Sequence, residues 1–408
     1  MDSWDATPPA ARFDLQFFPV QHEGRQLVVV KDHLGLVQEG QALPLPLYQF
    51  MTLLDGTRTP KELRMEMMRQ QGGVLVGEAE IHQVLAHLDE SFLLDSERFQ
   101  KARAQLIAAF ISQRTRPAVL AGQSYPENPS ELRARLDDII GAQPSVSAPE
   151  AEIKALVAPH MDLSVGYKAY SCTYQMLAHT TPSRVVILGT GHQLQDGLFS
   201  LTEKDFETPL GVTPTEQAVV KALRETTPDM MAADDFVHRA EHSIEFQLLF
   251  LQHLLKKTPF TLVPILCGNL QAGLPEYTRG AFLNTTGPFL EGLRRLLTDP
   301  DRETLLVAGV DLSHTGPKFG HEMPASNLQR QFEAHDTALM AHLCRLDADA
   351  FWQESARVND QFNVCGFSAL ACLLEILPPS KGEMRHYEIW HEGPTRSAVS
   401  FASAVFTS

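Results

Sequence analysis

Three times along the chain a short apolar run stops at a histidine. Ala155-Leu156-Val157-Ala158-Pro159 leads into His160, and Val185-Val186-Ile187-Leu188 passes through Gly189-Thr190-Gly191 into His192. Leu305-Leu306-Val307-Ala308-Gly309-Val310 leads into Asp311-Leu312-Ser313-His314. Runs this short and this apolar suit parallel strands buried on both faces. Open α/β sheets gather ligands at the carboxyl ends of such strands, so several imidazoles are expected at one cleft. Helical spacing appears between the runs, over Thr215 to Thr226, Glu241 to Leu255 and Cys365 to Leu377. This alternation predicts an α/β domain over residues 117–408, a mostly parallel sheet with helices on both faces.

The first hundred residues carry a different pattern. Phe13 to Phe17 and Leu27 to Val30 read as paired strands around a turn at His22-Glu23-Gly24. Three helical stretches follow. One runs from Leu47 to Leu54, one starts at Thr59-Pro60 with Thr59 as N-cap, and one carries Ile81, Val84, Leu85 and Leu88 on one face. Phe92-Leu93-Leu94-Asp95 reads as an edge strand. Three short helices followed by a strand suggest a small α+β, winged-helix-like domain over 1–98. Residues 99–116 then form a connecting helix ending at Arg114-Thr115-Arg116-Pro117. Ala142 to Glu150, rich in Pro, Ser and Ala, reads as a loop.

At 408 residues the chain is long enough for two domains. Its formal net charge of −16 argues against nucleic acid, which needs clustered Lys and Arg. Residues 1–116 hold 15 acidic and 12 basic side chains, so a protein or peptide suits the first domain better than DNA. No apolar run approaches the roughly 20 residues that span a bilayer, and Met1-Asp2-Ser3-Trp4-Asp5 lacks the basic and apolar regions of a signal peptide. No membrane partner and a cytoplasmic location are expected. Five cysteines in no CxxC arrangement read as reduced thiols.

A lone His at a strand end is usually a structural hydrogen-bonder, but three in equivalent positions weigh against that reading, and imidazole suits Fe, Cu, Zn and Ni. Cys365 lies where an apolar helix begins, so the helix dipole is expected to favour its thiolate as a nucleophile or soft ligand. His242 and Glu245, three residues apart, share one helix face and could serve a metal or simply complement a helix N-terminus. Asp311 and His314 follow one strand, where the Asp could orient the His for proton transfer. Gly189-Thr190-Gly191 lacks the third glycine of a dinucleotide loop.

In this order, Ala121-Gly122-Gln123-Ser124-Tyr125, Ala158-Pro159-His160, Gly189-Thr190-Gly191-His192, Glu241-His242-Ser243-Ile244-Glu245, Asp311-Leu312-Ser313-His314 and Cys365-Gly366 resemble the Memo family over about residues 117 to 408. That family is similar to class III extradiol dioxygenases, whose iron is held by two His and a Glu. The resemblance implies His160, His192 and Cys365 as metal ligands, with Cys365 at the carboxylate position. It also implies His314, Asp311 and His242 as residues lining the same pocket, with His314 the candidate acid or base. Ferrous iron is the implied cofactor, with copper or zinc as alternatives because thiolate is a soft ligand. Microbial members are named for association with an AMMECR1-domain protein and a radical SAM protein, which are the implied partners. The chain departs from the family at Gln193, where a second His is frequent, and at Met161-Asp162-Leu163. Loosely, the N-terminal part resembles PqqD-like winged helices that bind peptides. Three functions follow: a dioxygenase-like oxidoreductase, a non-enzymatic copper or iron adaptor, and a zinc-dependent hydrolase.

Overall fold

The structure is a computed structural model that describes residues 7–22, 24–70, 77–144 and 151–408. The acidic N-terminal segment, Glu23 of the first turn and residues 145–150 of the Pro/Ser/Ala loop lie outside the described residues. The chain divides into two compact units, 1–112 and 113–408.

In the first unit, strands Gln16–His22, Arg25–Lys31 and Ala42–Pro44 form an antiparallel sheet. The expected first strand begins at Gln16 rather than Phe13. Asp14 is turned back onto the guanidinium of Arg12, which also grips Asp32, so the chain bends there. Helices Leu45–Met51, Pro60–Gln70 and Glu78–Glu90 follow and bury Phe50, Leu63, Ile81, Leu85 and Leu88. Thr59 caps the second of these in a reciprocal pair with Glu62. The edge strand expected over Phe92 to Asp95 reduces to one bridge, Leu94 to Ala11. The helix expected as a connector runs Glu97–Ile111, capped by Ser96, and lies within the first unit.

The second unit is built on a mixed sheet. Four strands, Ile153–Ala158, Thr304–Gly309, Arg184–Thr190 and Thr261–Cys267, lie side by side in that order and run parallel. Phe199–Leu201 adds an antiparallel edge on one side. On the other side Ser397–Thr407 pairs antiparallel with Ile153–Ala158, and Lys381–Glu392 pairs with Ser397–Thr407. Alternate residues of the parallel strands face opposite ways. Val157, Val186, Val263 and Leu306 pack on one side with the helices Arg279–Leu297, Ala325–Cys344 and Phe367–Ile376. Leu156, Val185, Leu262 and Val307 pack on the other with Pro129–Ile140, Tyr167–Tyr174 and Ser243–Leu254. This α/β sheet with helices on both faces is the expected architecture. Among the described residues, no helix is long and apolar enough to cross a membrane.

Register sets the site. Gly309 lies level with both Ala158 and Gly189, and Cys267 lies level with Thr190. The residues just beyond these strands therefore emerge at one carboxyl-terminal rim. Two glycines let the helix Ser243–Leu254 reach that rim. A Cβ at Gly309 would lie 2.5 Å from the Ser243 carbonyl, and one at Gly189 would lie 2.5 Å from Ser243 Oγ. Protein backbones and side chains do not approach a Cβ that closely, so larger residues would push the helix start away from the rim.

Candidate metal centre

His160, His192 and Cys365 converge at this rim from three parts of the fold. His160 follows Ile153–Ala158 by two residues, and His192 follows Arg184–Thr190 by two. Cys365 precedes Gly366 and the buried helix Phe367–Ile376. A Cβ at Gly366 would lie 2.4 Å from Val310 Cβ, so glycine is what lets this turn press against the strand end. The three ligand atoms all lie within 4.8 Å of one another, with Cys365 Sγ 3.7 Å from His160 Nε2.

The rings are fixed from behind. His160 Nδ1 donates to the Gly309 carbonyl at 3.0 Å, which leaves Nε2 as the ligand nitrogen. The Tyr174 hydroxyl donates to Gln247, whose amide donates at 2.8 Å to the carbonyl of Pro159, steadying the chain just before His160. His192 Nδ1 lies 3.0 and 3.1 Å from the two carboxylate oxygens of Glu241. Glu241 also accepts the backbone N–H of His192, His242 and Ser243 at 2.8 to 3.0 Å. One buried carboxylate thus organises two imidazoles and the start of a helix. The sequence motif Glu241-His242-Ser243 contains it, but only its placement against His192 reveals the role.

His160, His192 and His242 form a triangle with ring centroids 4.9 to 5.2 Å apart, and the rings of His192 and His242 are within 11° of parallel. His192, Glu241 and His242 also bring ligand atoms within 4.8 Å of one another. The Glu241 oxygens are already occupied by three backbone N–H groups and His192, so this group acts as a clasp for the first one.

Charge follows burial and these contacts. Burial, then the neighbouring His192 and His242, holds His160 well below the ordinary imidazole range, so it is a neutral donor. Burial works against Glu241 too, but His192 and His242 hold its carboxyl well below the usual range. Burial pushes His192 down, and Glu241 with Cys365 pull it further up, well above the ordinary value. The expected helix-dipole activation of Cys365 is corrected here. The helix begins at Phe367, and burial raises the Cys365 thiol above its ordinary value despite the hydrogen bond from His192. A bound cation would have to supply the stabilisation that makes this thiol a thiolate.

Asp311 and His314 both reach the rim, though not as the expected pair. Asp311 accepts the backbone N–H of His160 at 3.1 Å and places its second oxygen 3.4 Å from His160 Nε2. His314 Nδ1 donates at 2.9 Å to the Leu312 carbonyl, which leaves Nε2 as the nitrogen available to the cleft. The strand-end turn, not Asp311, orients His314. Burial pushes Asp311 up to about 6 and His314 down to about 4, so the imidazole is neutral near pH 7.

Glu245 serves no metal. It is fully buried, pairs with the fully buried Arg116, and accepts the Tyr125 hydroxyl and the backbone N–H groups of Val119 and Leu120. Arg116 continues to the carbonyls of Glu241 at 2.5 Å and His238 at 3.0 Å. Through Tyr125, the Ala121-to-Tyr125 motif therefore anchors the helix that carries Glu245 and begins just after Glu241.

This network also sets an acid sensitivity. His238 is buried, its Nε2 3.1 Å from the Ser200 carbonyl, and burial pushes it down to about 4. Between the unfolded value near 6.5 and about 4, the unfolded chain binds the extra proton, so stability should fall as pH drops through this window. The loss from this residue is expected to be on the order of 3 kcal/mol at pH 4. Denaturant unfolding from pH 7 to 4 checks it, and His238→Phe should flatten the slope.

A cleft of about 330 Å³ opens beside the centre. His192, His314 and Cys365 line it together with Tyr277, Phe319 and Phe367. A metal with bonds of about 2.0–2.1 Å to nitrogen and about 2.3 Å to sulfur separates such donors by about 3.5 Å. The 3.7 Å contact between Sγ and Nε2 is close to that, so the donor set fits one ion.

Fold and site together define an α/β protein with helices on both faces of a mixed sheet and a His/His/Cys group able to hold a metal ion. The model of the family Memo-like protein matches residues 116–405, and the chain belongs to that family. It is 30% identical to a MEMO1 family protein of Aquifex aeolicus over 397 residues, 96% of this chain and 99% of that one. A Thermus thermophilus MEMO1 family protein is 27% identical, over 85% of this chain and 99% of its own. A third, from Methanopyrus kandleri, is 28% identical over 71% of this chain and 98% of its own.

Glu241→Gln gives a direct check on the clasp. Outer partners of metal-bound histidines are worth about 10–100-fold in metal affinity. The variant keeps the shape but loses the charge, so a loss in that range is expected from competition with a chelator of known affinity.

Proposed function

We propose that the protein is a metal-dependent oxidoreductase acting on a small aromatic substrate, with His160, His192 and Cys365 holding ferrous iron. The observation that carries this reading is the cleft of about 330 Å³ that is lined by two of the three ligand residues. That volume lies within the roughly 300–1,000 Å³ of small-molecule sites, whereas a metal-storing adaptor needs no such space. Iron held there would supply open coordination positions for oxygen and a chelating substrate.

The chain's own residues divide the remaining work. His160 and His192 present Nε2 because Gly309 and Glu241 occupy Nδ1. His314, neutral and pinned through Nδ1, is placed to accept a substrate proton at Nε2. Asp311 lies against His160 and adds negative charge where a cationic centre would sit. Phe319, edge-on to His314 at 4.9 Å, and Phe367 add apolar surface to the same cleft. The family resemblance further supports a role alongside an AMMECR1-domain protein and a radical SAM protein.

Thiolate softness favours a second reading, a copper-holding protein without turnover. One experiment separates the two. The protein is purified without oxygen, loaded with ferrous iron or copper, and oxygen uptake is followed with catechol. Uptake with iron that is lost in His314→Gln supports the oxidoreductase. Stoichiometric metal with no uptake for any diol supports the copper protein, and hydrolysis of esters or amides by the zinc form alone would replace both.

A further inference from the structure

The cleft also carries an acidic group that the metal centre does not use. Among the described residues lining it, none is Lys or Arg, and one, Asp360, is a carboxylate. Asp360 is half-buried and makes one hydrogen bond, from the backbone N–H of Val364 at 3.1 Å to Oδ1. No ion pair holds it among the described residues. Burial pushes its carboxyl above the ordinary range, with the Val364 N–H and the more distant His335 acting the other way.

Its surroundings match. Tyr277 and Phe367 pack together at 5.7 Å and line the same cleft as Phe319. Aromatic faces beside a carboxylate are the general means of holding an organic ammonium group. Asp360 and Asn363 both adopt left-handed backbone, at φ near 50°, and both line the cleft. Asn363 ties the turn to the carbonyls of His314 and Phe319, each at 3.2 Å. The chain's formal net charge of −16 would draw cations toward the opening.

We infer that the cleft selects an amine-bearing aromatic ligand, its ammonium group at Asp360 among Tyr277, Phe319 and Phe367, its ring directed toward Cys365 and His192. This rests on the proposed metal-centre reading for the ring end alone, since the amine end needs only the cleft. An aromatic carboxylate or phosphate directed at Asp360 would be repelled by it, and the described lining holds no Lys or Arg to offset that charge.

The test is calorimetric binding to the full-length, iron-loaded protein. The probes are dopamine, 4-methylcatechol, 3,4-dihydroxybenzoate and 2-phenylethylamine. Dopamine should bind about tenfold more tightly than 4-methylcatechol, the range of a partly desolvated cation–π and carboxylate contact. The benzoate should bind most weakly. Asp360→Asn keeps the acceptor for Val364 and should bring dopamine and 4-methylcatechol within about twofold of each other. Binding of the benzoate as tight as dopamine, or a dopamine preference unchanged in Asp360→Asn, overturns the inference. So does a failure of both amines to bind. 2-Phenylethylamine has no diol, so its Asp360-dependent binding to metal-free protein would uphold the inference even if the iron reading fails.

Discussion

Cys365→Ser and His160→Ala should each leave the protein folded and largely free of metal. Loss of an outer partner already lowers affinity about 10–100-fold, and loss of a direct ligand should exceed that. The serine variant is the sharper of the two. It keeps the size of the side chain and the Gly366 turn, yet replaces a polarisable sulfur with a hydroxyl that resists deprotonation. Its fold should survive because the thiol's contacts in the protein are long, 3.7 Å to His160 and 3.6 Å to the Asp311 carbonyl. Elemental analysis of anaerobically purified protein gives the stoichiometry. Copper-loaded wild type should also show a thiolate-to-metal absorption band that the serine variant lacks. Equal metal content in wild type and both variants would overturn the proposed centre.

The largest effect on stability is expected at Glu245, some distance from the chemistry. Glu245→Ala removes the counter-charge of Arg116 and strands the N–H groups of Val119 and Leu120 in the interior. Breaking a buried pair by deleting one partner costs about 3–5 kcal/mol, much of the roughly 5–15 kcal/mol that holds a typical domain. Tyr125→Phe removes one hydroxyl from the same carboxylate and should cost only about 1–2 kcal/mol. Denaturant unfolding of both variants tests the ranking. Metal affinity should fall in Glu245→Ala as well, since Arg116 also holds the Glu241 carbonyl and Glu241 holds His192. A variant that unfolds earlier but binds metal normally would show that the two networks are independent.

Much of the centre is legible in the amino-acid order. Buried parallel strands announce themselves as continuous apolar runs, and a polar residue that ends such a run must emerge at the rim. His160 and His192 are of that kind. The Memo resemblance adds Cys365, which follows no strand. Other expectations are local readings that distant contacts overrule. Glu245 shares a helix face with His242, but Arg116 and Tyr125, more than a hundred residues earlier, claim its carboxylate. Asp311 is three residues from His314, yet its oxygens meet His160 because Gly309 is level with Ala158. The helix after Cys365 predicts an acidic thiol, and desolvation outweighs the dipole.

By itself, then, the sequence determined the α/β class and the histidines that reach the sheet's carboxyl edge, because burial and strand period are written into consecutive residues. The tertiary structure alone decided which carboxylate clasps His192, what orients His314 and where Asp360 faces. Those outcomes depend on strand register and on glycine-permitted close approach between segments far apart in the chain, and no local pattern encodes either.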